Sequence, residues 1–221
     1  MKILYFGLNP PAKCTDKEFI HIPLIETKPR LNESSAINNF FLTIDAYQNI
    51  IITSKECARY FFQALKFFNC DAHNYHYFSI GKNTTHTLES LGAKNIVTAT
   101  TSTQEGIIQV LEERSIKKVA YPHSSLSRKK IADFCKEHAI DLLECILYDT
   151  FYKSPDFPIN LDFVDGLYFS SPSTVQSFSK LFSEIPSHLK IYVEGPITFQ
   201  EVENHYKDSP KFGKTTICNV D

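Results

Sequence analysis

Short runs of β-branched and aromatic residues alternate with helical stretches along the chain, and this alternation constrains the fold more than any other feature. Lys2–Phe6, Ile20–Ile25 and Asn49–Thr53 are typical of strands, whereas Ser54–Phe67 and Thr103–Glu113 are typical of helices. Strands that alternate with helices favour parallel sheets covered by helices on both faces. The length of 221 residues allows one large domain or two small ones.

The sequence also repeats itself weakly. In each half, one strand ends in hydroxyl residues before a helix, and another strand ends at a glycine before a helix. The matched pairs are Tyr5 and Tyr121, Ser54 and Ser171, and Gly81 and Gly195, at offsets of 116, 117 and 114 residues. Because three different units share nearly one offset, the repeat favours a duplicated α/β half over a chance likeness.

The order of the repeated units predicts a discontinuous first domain. One copy of the repeat lies entirely within the middle of the chain. The N-terminal strands must therefore combine with the last part of the chain to form the other copy, and the middle copy is inserted between these two parts. We expect a first domain of residues 1–27 and 151–221, and a second domain of residues 28–150. Two extended segments, Ile25–Arg30 and Tyr148–Pro155, would form a two-strand linker, since each contains a proline that disfavours helix.

Composition argues against several classes of protein. With 23 basic and 25 acidic side chains, the net charge of −2 gives no support to a general nucleic-acid binder. The longest apolar runs, such as Ile50–Ile52, are too short to span a bilayer, and Met1–Phe6 is typical of a strand rather than a signal peptide. The six cysteines form no CxxC pair, so we expect reduced thiols in a cytoplasmic protein. They stand at positions 14, 57, 70, 135, 145 and 218.

The sequence contains no recognisable metal motif. His73 and His76 are three residues apart, but no carboxylates or cysteines cluster with them. The chain also lacks the GxSxG, HExxH and GxGxxG patterns. We therefore expect no metal site.

Hydroxyl residues stand where two matched strands lead into helices. They are Thr53 and Ser54 in one copy, and Ser170, Ser171 and Ser173 in the other. Such residues cap helices, and the backbone amides exposed there attract carboxylates or phosphates. Capping alone explains a single turn of this kind. Two equivalent turns favour a shared anion-binding surface at the carboxyl ends of the strands.

Two glycine turns give a second pair of candidate anion sites. Gly81 is followed by a lysine, but the residue five positions earlier is His76 rather than glycine, which excludes a Walker A loop and the hydrolysis of ATP or GTP. A glycine turn at a helix N-terminus remains, and it suits an anion. Its candidate residues are Gly81, Lys82, Asn83 and Thr84, and those of the matched turn are Gly195, Ile197 and Thr198.

Ser124 and Arg128 follow a third strand and stand at the start of a predicted helix, Ser127–His138. An arginine at such a position can hold a carboxylate with two parallel hydrogen bonds. Taken alone, a solvated arginine beside Lys129 and Lys130 is the simpler interpretation.

Tyr148 lies on the returning linker segment, where it could donate a proton in a cleft between the domains. A strand tyrosine more often packs in the core with its hydroxyl at the edge. The residues alone therefore predict a two-domain α/β protein with several anion-binding helix starts facing one cleft.

Taken in order, these motifs resemble those of the uroporphyrinogen-III synthase family. The matching segments are Ile52–Ser54, Gly81–Thr84, Leu91–Gly92, Tyr121–Pro122 with Arg128, Leu147–Thr150, Phe169–Ser173 and Gly195–Thr198. Their order and spacing agree over residues 1–205. Each motif is common by itself, but the whole series, with a tyrosine on the returning linker and a repeat inserted into its partner, is fairly specific.

The resemblance implies a cytoplasmic hydro-lyase of haem biosynthesis. Its substrate would be hydroxymethylbilane, a linear tetrapyrrole with eight carboxylates, and its product uroporphyrinogen III, formed with loss of water and inversion of the last pyrrole ring. The resemblance also implies that no cofactor is needed and that the protein is a monomer. The bilane-forming enzyme could pass the substrate to it directly. Tyr148 is the nearest match to the general acid proposed for the family. The hydroxyl and glycine turns, with Ser124 and Arg128, would bind the substrate. The alternative is a non-catalytic two-lobed binding protein for an anionic small molecule.

Overall fold

The computed structural model describes residues 1–11, 17–31 and 35–207, together with the backbone of the strand at 215–218. Strands and helices alternate from Ile25 to Tyr152 and again from Gly166 to Tyr206, as the sequence pattern predicts. The strands are β1 (Lys2–Tyr5), β2 (Glu18–His21), β3 (Ile25–Pro29), β4 (Asn49–Ile52), β5 (His76–Ser79), β6 (Asn95–Thr98), β7 (Lys118–Ser124), β8 (Asp141–Tyr152), β9 (Gly166–Phe169), β10 (Lys190–Glu194) and β11 (Thr215–Cys218). The helices are α1 (Ser35–Thr43), α2 (Lys55–Phe67), α3 (Lys82–Ser90), α4 (Gln104–Glu113), α5 (Lys130–Glu137), α6 (Pro172–Ser179) and α7 (Pro196–Tyr206).

The chain forms two compact units. Unit 1 comprises Met1–Glu26 and Phe151–Asp221, and unit 2 comprises Thr27–Thr150. Each unit contains a sheet of parallel strands, and unit 2 is inserted into the chain of unit 1, so the predicted fold class is confirmed. The chain passes from one unit to the other within β3 and returns within β8.

The two sheets share one strand order. In unit 1 the order is β2-β1-β9-β10-β11, and in unit 2 it is β8-β7-β4-β5-β6, with β3 added beside β8. The corresponding neighbours in both sheets pair in parallel. The repeated sequence units fall at matched places, because Ser54 and Ser171 follow the central strands β4 and β9. In chain order, the two units are therefore circular permutations of each other.

Unit 2 has a hydrophobic core on each face of its sheet. Ile50 and Ile52 belong to the layer that includes Phe61 of α2, whereas Ile51 belongs to the layer that includes Ile107 of α4. Successive side chains of a strand point to opposite faces, so a strand covered on both sides needs an unbroken apolar run. The run Ile50–Ile52 is fully buried for this reason.

Unit 1 packs one face of its sheet against α6 and α7. Leu4, Leu167 and Val193 from three neighbouring strands contact Val175 and Val202 from the two helices in one buried cluster. The carboxyl ends of β9 and β10 lead directly into α6 and α7, which fixes the N-termini of both helices at the same edge of the sheet.

One strand expectation is wrong. The run Ile20–Ile25 is not a single strand, because β2 lies in the sheet of unit 1 and β3 lies in the sheet of unit 2. Pro23 stands between them and has no backbone N–H to offer either sheet. The chain leaves the first sheet after Ile22, whose N–H donates to the carbonyl of Tyr5 at 2.9 Å.

Four cysteines in the described ranges are free thiols, namely Cys57, Cys70, Cys135 and Cys145. Cys14 and the side chain of Cys218 lie outside the described residues. None of the helices described is long and apolar enough to cross a bilayer. In the same ranges, His, Cys, Asp and Glu side chains form no group of three that could hold a metal ion.

Candidate active site

The turn after β4 places Ser54 at the N-terminus of α2. Its extended backbone, with φ −164° and ψ 162°, lets the side-chain oxygen turn back and accept a hydrogen bond from the Cys57 N–H at 2.9 Å. This satisfies one of the amides that a helix start leaves without an intrahelical partner. Thr53 precedes Ser54 and is half-buried at the same turn.

Tyr148 lies on β8 with 6% of its surface exposed, and its hydroxyl oxygen is 2.9 Å from the Ser54 hydroxyl oxygen. Its ring packs 5.2 Å from the ring of Tyr60, whose own hydroxyl bonds to Thr27 at 2.8 Å. Burial raises the pKa of Tyr148 well above its usual range, although hydrogen bonds with Ser54 and Ser124 act in the opposite direction. Tyr148 is therefore protonated at neutral pH, but the same shift makes it a weaker acid, so donation of its proton requires groups that stabilise the phenolate.

The turn after β5 carries Gly81 at the N-terminus of α3. A side chain at Gly81 would clash with the hydroxyl of Ser102, so close packing, rather than its extended backbone, requires glycine here. The Thr84 N–H bonds to the Gly81 carbonyl at 3.0 Å, and Thr84 is buried. Lys82 is exposed and Asn83 is half-buried on the first turn.

Ser124 ends β7 at an irregularity in the pairing, where it lies opposite Tyr148 on β8. Its hydroxyl accepts a hydrogen bond from the Leu126 N–H at 3.2 Å and lies 3.3 Å from the hydroxyl of Thr150. The structure therefore brings Ser54, Ser124 and Tyr148 together at the carboxyl edge of the unit 2 sheet.

Arg128 precedes α5, which begins at Lys130 rather than at Ser127. Its guanidinium donates two hydrogen bonds of 3.0 Å to the carboxylate of Glu105, and the Lys130 ammonium lies 2.5 Å from the same carboxylate. These cations hold the pKa of Glu105 far below its usual range. The Gln104 side-chain amide donates to the Arg128 carbonyl at 3.0 Å and fixes the turn.

In unit 1, Ser171 caps α6 with φ −165° and ψ 160°, nearly the same backbone as Ser54. Its N–H donates to the Thr174 hydroxyl at 3.3 Å, and its hydroxyl lies 3.0 Å from that of Ser173. Ser170 is half-buried at the same turn. The matched serines therefore present equivalent helix starts in the two units.

The matched glycine turn of unit 1 differs in its backbone. Gly195 has φ +82° and open space where a side chain would stand, so here conformation favours glycine. Thr198 is buried, and its hydroxyl donates to the Glu194 carbonyl at 2.9 Å. Ile197 is half-buried on the first turn of α7.

Tyr60, Gln104 and Glu105 belong to these sites, but sequence reasoning did not select them. Tyr60 has the spacing of a core residue on α2, and an acidic residue in the first turn of α4 is typical of any helix start. Their roles depend on contacts between residues far apart in the sequence, such as the ion pair of Glu105 with Arg128, which are separated by 23 residues. No local signal distinguishes them.

Chemically, each sheet ends in helix starts that offer backbone amides and hydroxyls to anions. Unit 2 adds a protonated tyrosine and an arginine. This combination suits a ligand with many carboxylates and a step that needs one proton.

The family model for uroporphyrinogen-III synthase HemD matches residues 15–207. A solved uroporphyrinogen-III synthetase from Helicobacter pylori 26695 is 17% identical, covers 96% of this chain and 91% of that chain, and superposes with a TM-score of 0.61. A mutant uroporphyrinogen III synthase from the extremely thermophilic bacterium Thermus thermophilus is 14% identical, covers 93% of this chain and 91% of that chain, and has a TM-score of 0.62. No curated protein sequence matches the chain.

Proposed function

This chain belongs to the uroporphyrinogen-III synthase family, and from that premise we propose how its own residues carry out the reaction. Members of this family act in tetrapyrrole synthesis, and the function is the cyclisation of hydroxymethylbilane to uroporphyrinogen III. The reaction removes water and inverts the last pyrrole ring, which makes the proposed enzyme a hydro-lyase.

Tyr148 carries the proposal for the chemical step. It is a buried tyrosine whose hydroxyl reaches the edge of the sheet where Ser54 and Ser124 stand, within 2.9 Å of the Ser54 hydroxyl. A positioned acid typically accelerates such a step by about 10²–10⁴-fold. Tyr148 is therefore the proposed proton donor to the hydroxyl that leaves the bilane.

In the proposed step, the Tyr148 proton passes to the leaving hydroxyl, and the carbon–oxygen bond breaks with its electron pair on oxygen. Water and a delocalised azafulvene-like cation result. The substituted carbon of the last pyrrole attacks this cation, giving a spiro intermediate that reopens and closes again with the ring inverted. Reopening breaks the bond between the substituted carbon and its original methylene. The unsubstituted carbon of the same pyrrole then attacks that methylene and loses its proton, which the Tyr148 phenolate takes up.

The proposed binding residues hold the carboxylates of the substrate. Helix starts with hydroxyl side chains provide several contacts in each unit, and Arg128 adds a charge. In unit 2 they are Thr53, Ser54, Gly81, Lys82, Asn83, Thr84, Ser124 and Arg128, and in unit 1 they are Ser170, Ser171, Ser173, Gly195, Ile197 and Thr198.

Orientation is the second part of the proposed mechanism. The bilane also closes unaided, without inversion, to the symmetric type I isomer, so the protein must select one geometry as well as lower a barrier. Holding a flexible substrate in a reactive arrangement can contribute several kcal/mol.

Because the substrate is lost by unaided closure, we also propose that the protein acts as a monomer and receives the substrate directly from the enzyme that forms it. The four free thiols favour a reducing compartment such as the cytoplasm.

The test couples the purified protein to a bilane-forming enzyme and resolves the type I and type III uroporphyrins after oxidation. We expect mostly type III product without added metal or nucleotide. A reaction without the protein, and one with Tyr148→Phe, provide the baselines. A product that stays type I at high protein concentration would contradict the proposal.

A further inference from the structure

We infer that Ser54 acts through Tyr148: its hydroxyl donates a hydrogen bond to the Tyr148 oxygen and stabilises the phenolate that forms when Tyr148 gives up its proton. The Ser54 hydroxyl then has a positioning role, and carboxylate binding at this turn is left to the backbone amides at the start of α2. This inference rests on the proposed role of Tyr148 as the proton donor.

The hydrogen-bond inventory of Ser54 supports this direction. A serine hydroxyl has one hydrogen to donate and two lone pairs to accept with. The Cys57 N–H occupies one lone pair at 2.9 Å, and Tyr148 Oη lies 2.9 Å away. Within the described ranges, the Ser54 hydroxyl has no other side-chain or carbonyl acceptor among its hydrogen bonds. When Ser54 donates to Tyr148, the phenolic hydrogen points away from Ser54, toward Ser124 or the substrate.

The surroundings make this donor important. Tyr148 is 6% exposed, so water cannot readily replace a lost hydrogen bond to its oxygen. Ser54 stands at the positive end of α2, and the Cys57 amide polarises its hydroxyl. The buried Cys57 thiol adds no negative charge, because burial raises its pKa to about 12. Glu56, the acidic side chain in the first turn of α2, pairs with Arg59.

Comparison with the matched serine of unit 1, Ser171, distinguishes the proposed role of Ser54 from helix capping. Ser171 has nearly the same backbone angles as Ser54, yet its hydroxyl lies 3.0 Å from the Ser173 hydroxyl instead of a tyrosine. The capping conformation therefore does not by itself create the contact with a tyrosine. The contact exists because β8 places Tyr148 beside the start of α2.

A double-mutant cycle tests the inference. In the wild-type background, Ser54→Ala should lower kcat for type III formation by about ten-fold or more, because hydrogen bonds to charged groups are the stronger ones. KM should stay within about two-fold, since no substrate contact is removed. In the Tyr148→Phe background, Ser54→Ala should change kcat by less than about two-fold, because the group it acts through is gone. Ser54→Thr, which keeps the hydroxyl, should restore most of the rate.

Two further variants separate catalysis from helix stability. Thr103→Ala removes the cap of α4, where the Thr103 hydroxyl accepts from the Gly106 N–H at 3.3 Å, and should lower the melting temperature as Ser54→Ala does while leaving kcat unchanged. Ser54→Asp keeps a good cap but cannot donate at neutral pH, so it should be stable and at least as slow as Ser54→Ala.

The outcomes distinguish the inference from the proposal beneath it. An equal loss of kcat from Ser54→Ala in both backgrounds, or a rise in KM alone, would overturn the role of Ser54 and leave Tyr148 as the acid. A fully active Tyr148→Phe enzyme would overturn both. A fast Ser54→Asp enzyme would also overturn the inference, because it would need no donor at this position.

Discussion

Arg128 and Glu105 form a two-bonded ion pair, with both guanidinium contacts 3.0 Å long. The pair is partly exposed. Lys130 contacts the same carboxylate, so two cationic side chains share the single negative charge of Glu105. A partly exposed pair of this kind is typically worth less than about 1 kcal/mol. A substrate carboxylate can therefore compete with Glu105 for Arg128 at little cost.

We expect Arg128→Gln to raise KM for the bilane about three- to ten-fold and to change kcat little, because it removes a charge-assisted contact made in binding. Glu105→Gln should lower KM a few-fold, since it removes the internal competitor. Steady-state kinetics at low and high salt measure both effects. Lys129→Gln, at the exposed neighbouring position, is the matched control. An equal rise in KM for Lys129→Gln would mean that only bulk charge matters.

Tyr148→Phe removes one proton donor and almost no volume. Type III formation should slow by about ten-fold to a few hundred-fold, the lower part of the range for a lost general acid, because the contacts that orient the substrate remain. The ring still packs against Tyr60, so the melting temperature should be nearly unchanged. Thr84→Ala should have a smaller effect on rate, because it removes one contact among many. If Tyr148→Phe keeps the full rate, the tyrosine is a packing residue.

The Arg30 guanidinium holds the carboxylate of Asp149 through two hydrogen bonds of 2.6 Å, which lowers the pKa of Asp149. A lowered pKa means that the carboxylate contributes stability above the ordinary aspartate value of about 3.9, and that this contribution is lost as the pH falls through the folded-state pKa. Asp149→Asn should therefore reduce the free energy of unfolding by up to about 1 kcal/mol at pH 7.

The difference in stability between wild type and Asp149→Asn should shrink toward zero in acid, as urea titrations at several pH values would reveal. Asp156→Asn, at an exposed position, should have little effect at any pH. A gap between wild type and Asp149→Asn that stays constant down to acid pH would assign the loss to packing instead of charge.

Gly81 and Gly195 occupy matched turns for different reasons, and their alanine variants should respond differently to a second change. Gly81→Ala should cost about 1–3 kcal/mol from crowding against Ser102, and Ser102→Gly should recover part of this loss. Gly195→Ala should cost about 1–3 kcal/mol from its backbone angles alone. Thermal unfolding of the single and double variants provides the measurement. No recovery of Gly81→Ala by Ser102→Gly would refute the steric explanation.

The fold class could be predicted because its signals are local. The run Ile50–Ile52 requires apolar layers on both faces of a strand, and the hydroxyls at Ser54 and Ser171 mark where helices begin. The constant offset between the repeated units then indicates that the two halves share one topology. The exception is Ile20–Ile25, where the apolar pattern is continuous but the hydrogen-bonding partner changes at Pro23.

The contacts of the candidate site could not be predicted in the same way. Tyr148 and Ser54 are 94 residues apart, and their contact depends on β8 continuing without a break from Asp141 to Tyr152. The partner of Arg128 was also not predictable, since many acidic side chains in the sequence could fill that role. The residue types indicate anion binding and proton donation, but only the packing of strands decides which groups meet.

The shared strand order has a consequence for how the protein is made on the ribosome. β1 lies between β2 and β9, yet β9 begins at Gly166, after the whole of unit 2 has been synthesised. At about 5–20 residues per second, one edge of β1 waits roughly 8–32 s for its partner. Unit 2 is contiguous, so all its strands are synthesised before then, and its sheet can be completed before the sheet of unit 1. β1 therefore leaves the ribosome long before its second neighbour, and until β9 follows, Leu4 and Phe6 are apolar surfaces for a chaperone to cover.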